Sequence, residues 1–391
     1  MDPMVVLIPK EKKPGEGRVS ATPEHVSKYV EAGARILVES GAGVLSGFSD
    51  DLYHRKNIGY TPDFETTWSA IIPYQYISDK NELKQTVRTD RRKGEEIIIL
   101  KVKEILDSEL HFILRDSPII SFGHLASNRE LTELVIERNG TYLSLEDIVE
   151  NEKRPVLTGM SQIAGEEAVR IGVKHFLSSQ KEKPRVIIIG YGNVGMAAHR
   201  IAAQNFGLNV TAFDTRDLSS YKMPTYRTKF TLYDKSKSEQ SCVSIASKNE
   251  NPILFILAPY SPENKAPEII KSSMLQKLPV GSVIVDVSID QGGACEFSQV
   301  TTHKNPYVEL ERGIKYIGIP NLPGGVPHLS TPVFSESVFP YMMQIIKLGF
   351  IKALKENPAL RGAVSIYNGK VTSEGLAKTF GLEHTPIETL L

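Results

Sequence analysis

A chain of 391 residues exceeds what one hydrophobic core organises, so two domains are expected. Lys and Arg (46) balance Asp and Glu (46), which removes the basic footprint of a nucleic-acid binder or a polybasic membrane anchor and leaves small neutral or zwitterionic ligands. With 41% hydrophobic residues the chain is too apolar to stay disordered, and its 2 cysteines, Cys242 and Cys295, supply neither a disulfide framework nor a zinc spacing, so a reducing cytoplasm fits.

In chain order, Val5–Ile8 reads as a short buried strand. The apolar run around it is too short for a signal h-region and is followed, not preceded, by basic residues. Nowhere does the chain reach the roughly 20 apolar residues of a membrane-spanning helix. Arg35–Glu39, Ile97–Leu100, Ile119–Phe122 and Tyr142–Leu145 are further β-branched runs separated by amphipathic stretches, the βαβ pattern of a parallel sheet covered by helices. Thr61–Gly94, polar, poorly patterned and carrying the only Trp, Trp68, reads as an inserted excursion. A domain boundary is expected near Pro155, then a helix over Met160–Phe176 and a solvated connection, Ser178–Pro184. The second series, Val186–Ile189, Val210–Phe213, Ile253–Leu257, Val283–Val287 and Lys315–Ile319, is almost wholly apolar, as strands buried on both faces must be. Beyond Pro320 the stretch NLPGGVPHLSTP holds too much Pro and Gly for a helix or strand and reads as a constrained hinge or ligand loop ahead of a helix over Val333–Leu348.

The sharpest local signal is VIIIGYGNVGMAAHRIAAQNFGLNVTAFD. Gly190, Gly192 and Gly195 form G-x-G-x-x-G between an apolar strand and a helix, and Asp214 closes the next strand about 20 residues on. In that context Gly190 makes the tight turn, Gly192 lets backbone N–H groups approach a pyrophosphate, and Gly195 packs helix on sheet. Asp214 suits the ribose hydroxyls of NAD and repels a 2′-phosphate, whereas Arg216 two residues on is able to pair with one, so NADP stays open.

A dinucleotide carries hydride, and the substrate site must then hold an oxidisable carbon and manage a proton. Lys101 and Lys103 alternate in LKVKE and so share one face of a strand end. His124 follows an apolar strand and a glycine, at the carboxyl end where parallel sheets place ligand-binding groups. Asp286 and Asp290 bracket the end of another buried strand before two glycines, and one of them suffices to cap the next turn. Each has a bland alternative as a snorkelling lysine, a packed histidine or a turn cap, and residue pattern alone does not choose.

The chain resembles the alanine dehydrogenase and transhydrogenase α-subunit family in PKEKKPGEGRVSATP, GAGVLSGFSD, LKVKE, SFGHLASNRELTE, MSQIAGEEA, GYGNVG, VDVSIDQGGACE, TTHKNP and IPNLPGGVPHLSTP, in the family's order along most of its length. The resemblance implies an α/β fold of two Rossmann-like domains with parallel sheets, the substrate domain discontinuous (1–155 and 329–391) around an NAD-binding domain (156–328), with closure of a cleft before hydride transfer. It implies that Arg18 and Lys103 bind the substrate carboxylate, that His124 is the acid/base, and that Asp290 positions the nitrogen; transhydrogenase subunits have EQGG where this chain has IDQGG. It further implies dinucleotide contacts at Ser161, Gly190, Gly192, Asn193, Val194, Gly195, Asp214, Asn321 and Leu322, no metal, and a homo-oligomer.

The leading expectation is an NAD-dependent amino-acid dehydrogenase, reversibly deaminating L-alanine or a related small amino acid to a 2-oxo acid and ammonium. Ile105 in place of the family proline, Gly123 in place of an apolar residue beside His124, the missing glycine-rich loop before the fingerprint strand, and the long Thr61–Gly94 region admit a second reading, an opine-type reductase taking a bulkier amine. A third is a non-catalytic dinucleotide-binding subunit.

Overall fold

Each expected strand forms, within a residue or two at its ends, in a computed structural model that describes residues 4–54, 96–115, 117–177, 183–216, 228–232, 251–260 and 265–391. The chain divides into two compact units, Met1–Gly159 with Val326–Leu391, and Met160–Gly325. The first unit begins with β1 (Val5–Ile8), β2 (Arg35–Val38), β3 (Ile97–Leu100), β4 (Ile119–Ser121) and β5 (Tyr142–Ser144). The second holds β6 (Arg185–Ile189), β7 (Val210–Asp214), β8 (Thr228–Leu232), β9 (Ile253–Leu257), β10 (Val283–Asp286), β11 (Val308–Glu309) and β12 (Lys315–Ile317). The chain then returns to the first unit with β13 (Val364–Tyr367) and β14 (Lys370–Val371).

The first sheet runs β14-β13-β5-β4-β3-β1-β2 and the second β11-β12-β10-β9-β6-β7-β8. Both are parallel through their centres and antiparallel at one edge, where β13 and β14 join the first sheet and β11 the second, so the expected parallel sheets are mixed. In the second sheet the two-residue period sorts side chains cleanly. Val186, Ile188, Leu254, Ile256 and Val285 bury on one face, and Ile187, Ile189, Phe255, Leu257 and Ile284 on the other.

The proline-rich stretch behaves differently from the expectation. Pro327–Leu348 is one helix, with Pro327 in its first turn and Pro332 and Pro340 inside it. Proline at the helix start has the right φ and lacks only an N–H that would be unpaired. Pro332 and Pro340 each cost a ladder bond, about 3 kcal/mol apiece. Phe334, Val338, Met342 and Ile345 are fully buried along one stripe, at about 1.5–3 kcal/mol each, and that burial wins. No described helix is long and apolar enough to cross a membrane. Thr61–Gly94, Trp68, Cys242 and most of Ser178–Pro184 lie outside the described residues.

Candidate functional site

In the first unit β1, β3 and β4 are adjacent and parallel, so the segments that follow them leave the sheet at the same edge. Arg18 comes from the segment after β1, Lys103 from that after β3, and His124 from that after β4. Lys103 Nζ lies 3.5 Å from His124 Nε2. Arg18 is buried, its guanidinium laid along the Glu16 carboxylate: Nε donates to Oε1 at 2.7 Å, Nη2 to Oε2, and the Arg18 backbone N–H also donates to Oε1 at 2.9 Å. The His124 side chain is 45% exposed, yet desolvation of its ring against the protein and then the Lys103 charge lower its pKa to about 4, with Arg18 adding in the same direction. At neutral pH the ring is therefore uncharged. With Nε2 facing an ammonium, the ring proton belongs on Nδ1.

The expected pairing of Lys101 with Lys103 on one strand face does not occur. β3 ends at Leu100, and beyond it strand alternation no longer governs direction. Lys101 is fully buried, donating to Glu109 at 2.7 Å and lying 3.2 Å from Glu11, while Glu11 also accepts the Val102 backbone N–H at 2.7 Å. Burial pushes the Glu11 carboxyl up to about 7 against the pull of Lys101. Lys101 is thus a structural cation inside the segment that carries Lys103.

His124 stands in the left-handed region (φ 45, ψ 34), a conformation that costs a non-glycine residue roughly 1–3 kcal/mol. One carboxylate holds it there. Glu146 accepts the His124 backbone N–H at 2.6 Å and the Gly123 N–H at 3.1 Å, and its Oε1 lies 3.8 Å from Nδ1 of the ring. Burial, then the Asp147 charge, push Glu146 up to about 7. Neither Glu16 nor Glu146 stood out in the sequence; the only available signal was an acidic residue within two positions of Arg18 and another just past β5. At Gly123 a Cβ would meet Tyr142 Cε1 at 2.6 Å and Ser144 Oγ at 3.2 Å. The side chain this chain lacks is replaced by the Tyr142 ring, so Gly123 opens no space for a larger amine.

In the second unit the glycines divide their work as their chemistry requires. Gly190 has φ +91, and a Cβ there would stand 2.2 Å from the Ala258 carbonyl oxygen. A Cβ at Gly195 would lie 2.0 Å from the Gly190 carbonyl oxygen, so the helix Asn193–Gln204 sits directly on the turn. At Gly192 a Cβ would meet nothing within 4 Å. Gly192 is exposed at the start of a twelve-residue helix that has no side-chain cap, so no Cβ obstructs the approach a pyrophosphate requires. Asn193 is exposed and Val194 half-buried beside it, and Gly165 packs against the Val194 carbonyl with Ser161 one turn earlier on the same helix face.

The Asp214 carboxylate is buried and fully engaged. Oδ2 accepts from the Tyr191 N–H at 2.6 Å and Arg216 Nη2 at 3.0 Å, and Oδ1 from the Arg216 N–H at 2.9 Å and Nε at 2.8 Å. These bonds, led by the Arg216 side chain, hold its pKa below the usual carboxylate range although burial opposes them. The two aspartates after β10 separate clearly. Asp286 is buried and accepts from the Ser288 and Ala294 N–H groups, the Ser298 hydroxyl and the Tyr316 hydroxyl, which makes it the turn cap. Asp290 is exposed, and its Oδ2 accepts the Asn321 N–H at 3.3 Å. That contact ties the loop after β10 to the left-handed Asn321 (φ 55) and buried Leu322 after β12.

Two profiles divide the chain between them: Alanine dehydrogenase/PNT, N-terminal domain, at residues 7–73 and 75–164, and Alanine dehydrogenase/PNT, C-terminal domain, at residues 172–374. The chain belongs to the alanine dehydrogenase/PNT family. Among relatives of this family, Alanine dehydrogenase 1 of Staphylococcus aureus (strain MSSA476) is 32% identical over 400 residues, covering 98% of this chain and 99% of the relative. Alanine dehydrogenase of Bacillus subtilis (strain 168) is 32% identical over 402 residues, covering 99% and 98%. A solved L-alanine dehydrogenase superposes with a TM-score of 0.81 at 29% identity, covering 97% of this chain and 99% of that one.

Proposed function

We propose that this member of the family is an NAD-dependent amino-acid dehydrogenase interconverting L-alanine, or a related small amino acid, with the 2-oxo acid and ammonium. The observation that carries the reading is the meeting of Lys103 and an uncharged His124, 3.5 Å apart, at the strand edge that also holds Arg18. Two cations of different geometry suit a small carboxylate: a planar guanidinium aligned in advance by Glu16, and a point-charge ammonium. The bound nicotinamide supplies the hydride acceptor or donor.

The cations also govern the proton. With the site free of substrate, desolvation of the ring first, and then the Lys103 charge with Arg18 adding to it, hold the His124 pKa far below neutral. A substrate carboxylate placed between Lys103 and Arg18 offsets the cationic part of that depression and raises the His124 pKa, so that the ring takes a proton from the attacking water in deamination and returns it in the reverse direction. Base strength thus appears when substrate is bound. Asp290 takes the nitrogen, a role supported by the family resemblance and by its exposed carboxylate. The dinucleotide is assigned to Gly190, Gly192, Asn193, Val194 and Gly195 for the pyrophosphate, Asp214 for the ribose, and Ser161, Asn321 and Leu322 along its length. The resemblance also supports a homo-oligomer in the cytoplasm, which light scattering after size exclusion checks.

The test is a substrate panel following NADH absorbance with pyruvate plus ammonium against pyruvate plus amino-acid amines. Turnover with ammonium, its loss in both Lys103→Ala and His124→Ala, and undiminished NADH binding by the two variants are expected. Turnover kept by both variants would remove the site assignment. Turnover only with amino-acid amines would replace the dehydrogenase by the reductase.

A further inference from the structure

The ribose end of the dinucleotide turn departs from what an acidic residue alone would make. A carboxylate offers about four lone-pair positions. At Asp214 the four are taken by donors of the chain itself, two of them from the Arg216 guanidinium, at 2.8 and 3.0 Å, and the others from backbone N–H groups. The same guanidinium donates from Nη2 to the Tyr191 carbonyl at 2.9 Å, which fastens it beside the glycine turn. Its side chain is 57% exposed while Asp214 is 8% exposed, so the cation covers the carboxylate on the solvent side.

Two consequences follow. Ribose hydroxyls reach Asp214 only by displacing Arg216, which makes an NAD-type ribose break an ion pair before it is bound. A 2′-phosphate faces no bare carboxylate, because Asp214 and Arg216 together carry no net charge, and the outward, half-exposed side of the guanidinium meets it as a charged donor while the inner edge stays on Asp214. We infer that Arg216 forms a 2′-phosphate subsite at this turn, so that the chain binds NADP(H) as well as NAD(H). The inference rests on reading the second unit as dinucleotide-binding, and extends it to the class of dinucleotide accepted.

Binding of NADH and NADPH to the cofactor-free full chain, followed by reduced-nicotinamide fluorescence and by titration calorimetry, tests it without any turnover. The wild type is expected to bind NADPH within about tenfold of NADH, that is, within about 1.4 kcal/mol. Arg216→Ala should weaken NADPH by roughly 10- to 100-fold, the worth of one charged pair, while NADH binding holds or tightens because Asp214 is released. Arg216→Gln, which keeps hydrogen-bonding capacity without charge, should follow Arg216→Ala, and added salt should weaken NADPH more than NADH. Thermal unfolding of each variant separates a folding defect from a lost contact. NADH binding with NADPH rejected more than about 100-fold by the wild type, or equal losses of both cofactors in both variants, overturns the subsite and leaves the dinucleotide reading intact. Failure of the wild type to bind either cofactor overturns both.

Discussion

The two units prepare charge in opposite ways. In the first, long cationic side chains are buried and each is set against a carboxylate or ring far from it in sequence or just beside it: Arg18 on Glu16, Lys101 on Glu11 and Glu109, Lys103 on His124. In the second, the turn between β6 and the helix Asn193–Gln204 presents backbone, and its shape comes from the absence of Cβ atoms. A side-chain site gains strength from desolvation and depends on every partner remaining in place. A backbone site depends on conformation, and its residues are exchangeable wherever a Cβ meets open space.

The largest expected effect follows from the first half of that comparison. Lys101→Met removes the one charge set between Glu11 and Glu109, leaving two buried carboxylates without their cation, and should cost about 3–5 kcal/mol in denaturant unfolding. A loss under about 1 kcal/mol would mean that the pair is already neutral, and the contrast between the units would fail at its root. Next comes a pair of glycine variants that splits packing from binding in the second unit. Gly195→Ala drives a Cβ to within 2.0 Å of the Gly190 carbonyl and should lower stability and NADH binding together. Gly192→Ala meets nothing within 4 Å of the protein, so the melting temperature should stay while NADH affinity falls about tenfold or more as the methyl enters the pyrophosphate's approach. Equal effects of the two substitutions on stability would show that the turn is held by something other than this close packing.

The same contrast explains what could be read beforehand. The glycine fingerprint was legible because strand, turn, helix and Asp214 are one local unit whose steric rules hold wherever the chain places them. Ten short strands were legible for the same reason, while β8 and β13 were not read as strands, and β11 and β14, two residues each, carry too little alternation to register. Lys101 and Lys103 could not be told apart because the difference between them is made by Glu11, about 90 residues earlier in the chain, and by His124 beyond the next strand. Gly123 was misleading on its own, since the ring that fills its place belongs to Tyr142. The helix through Pro332 was missed because backbone propensity is visible in sequence and the burial of Phe334, Val338, Met342 and Ile345 is not.

The smallest and sharpest prediction concerns Glu146, where a side-chain carboxylate of the first unit performs a backbone task. Above about pH 7 it is anionic and accepts the N–H groups of both Gly123 and His124; below that pH it carries a proton and its grip on the left-handed turn weakens. Because His124 itself titrates near 4, the kcat/KM profile for the 2-oxo acid should rise through an apparent pKa near 7 that belongs to Glu146. In Glu146→Gln that inflection should vanish and kcat should fall on the order of tenfold, about the worth of one hydrogen bond, with NADH affinity unchanged. Stability runs the other way. A carboxyl raised from 4.5 to about 7 by folding contributes fully below pH 4.5, and that contribution is lost as the pH rises through 7, so the glutamine variant should gain on the wild type in melting temperature at pH 8 but not at pH 4. Asp147 and Arg154 also face this carboxyl's segment, and an inflection near 7 that survived in Glu146→Gln would transfer the titration to another group and leave Glu146 as a purely structural clamp on the His124 turn.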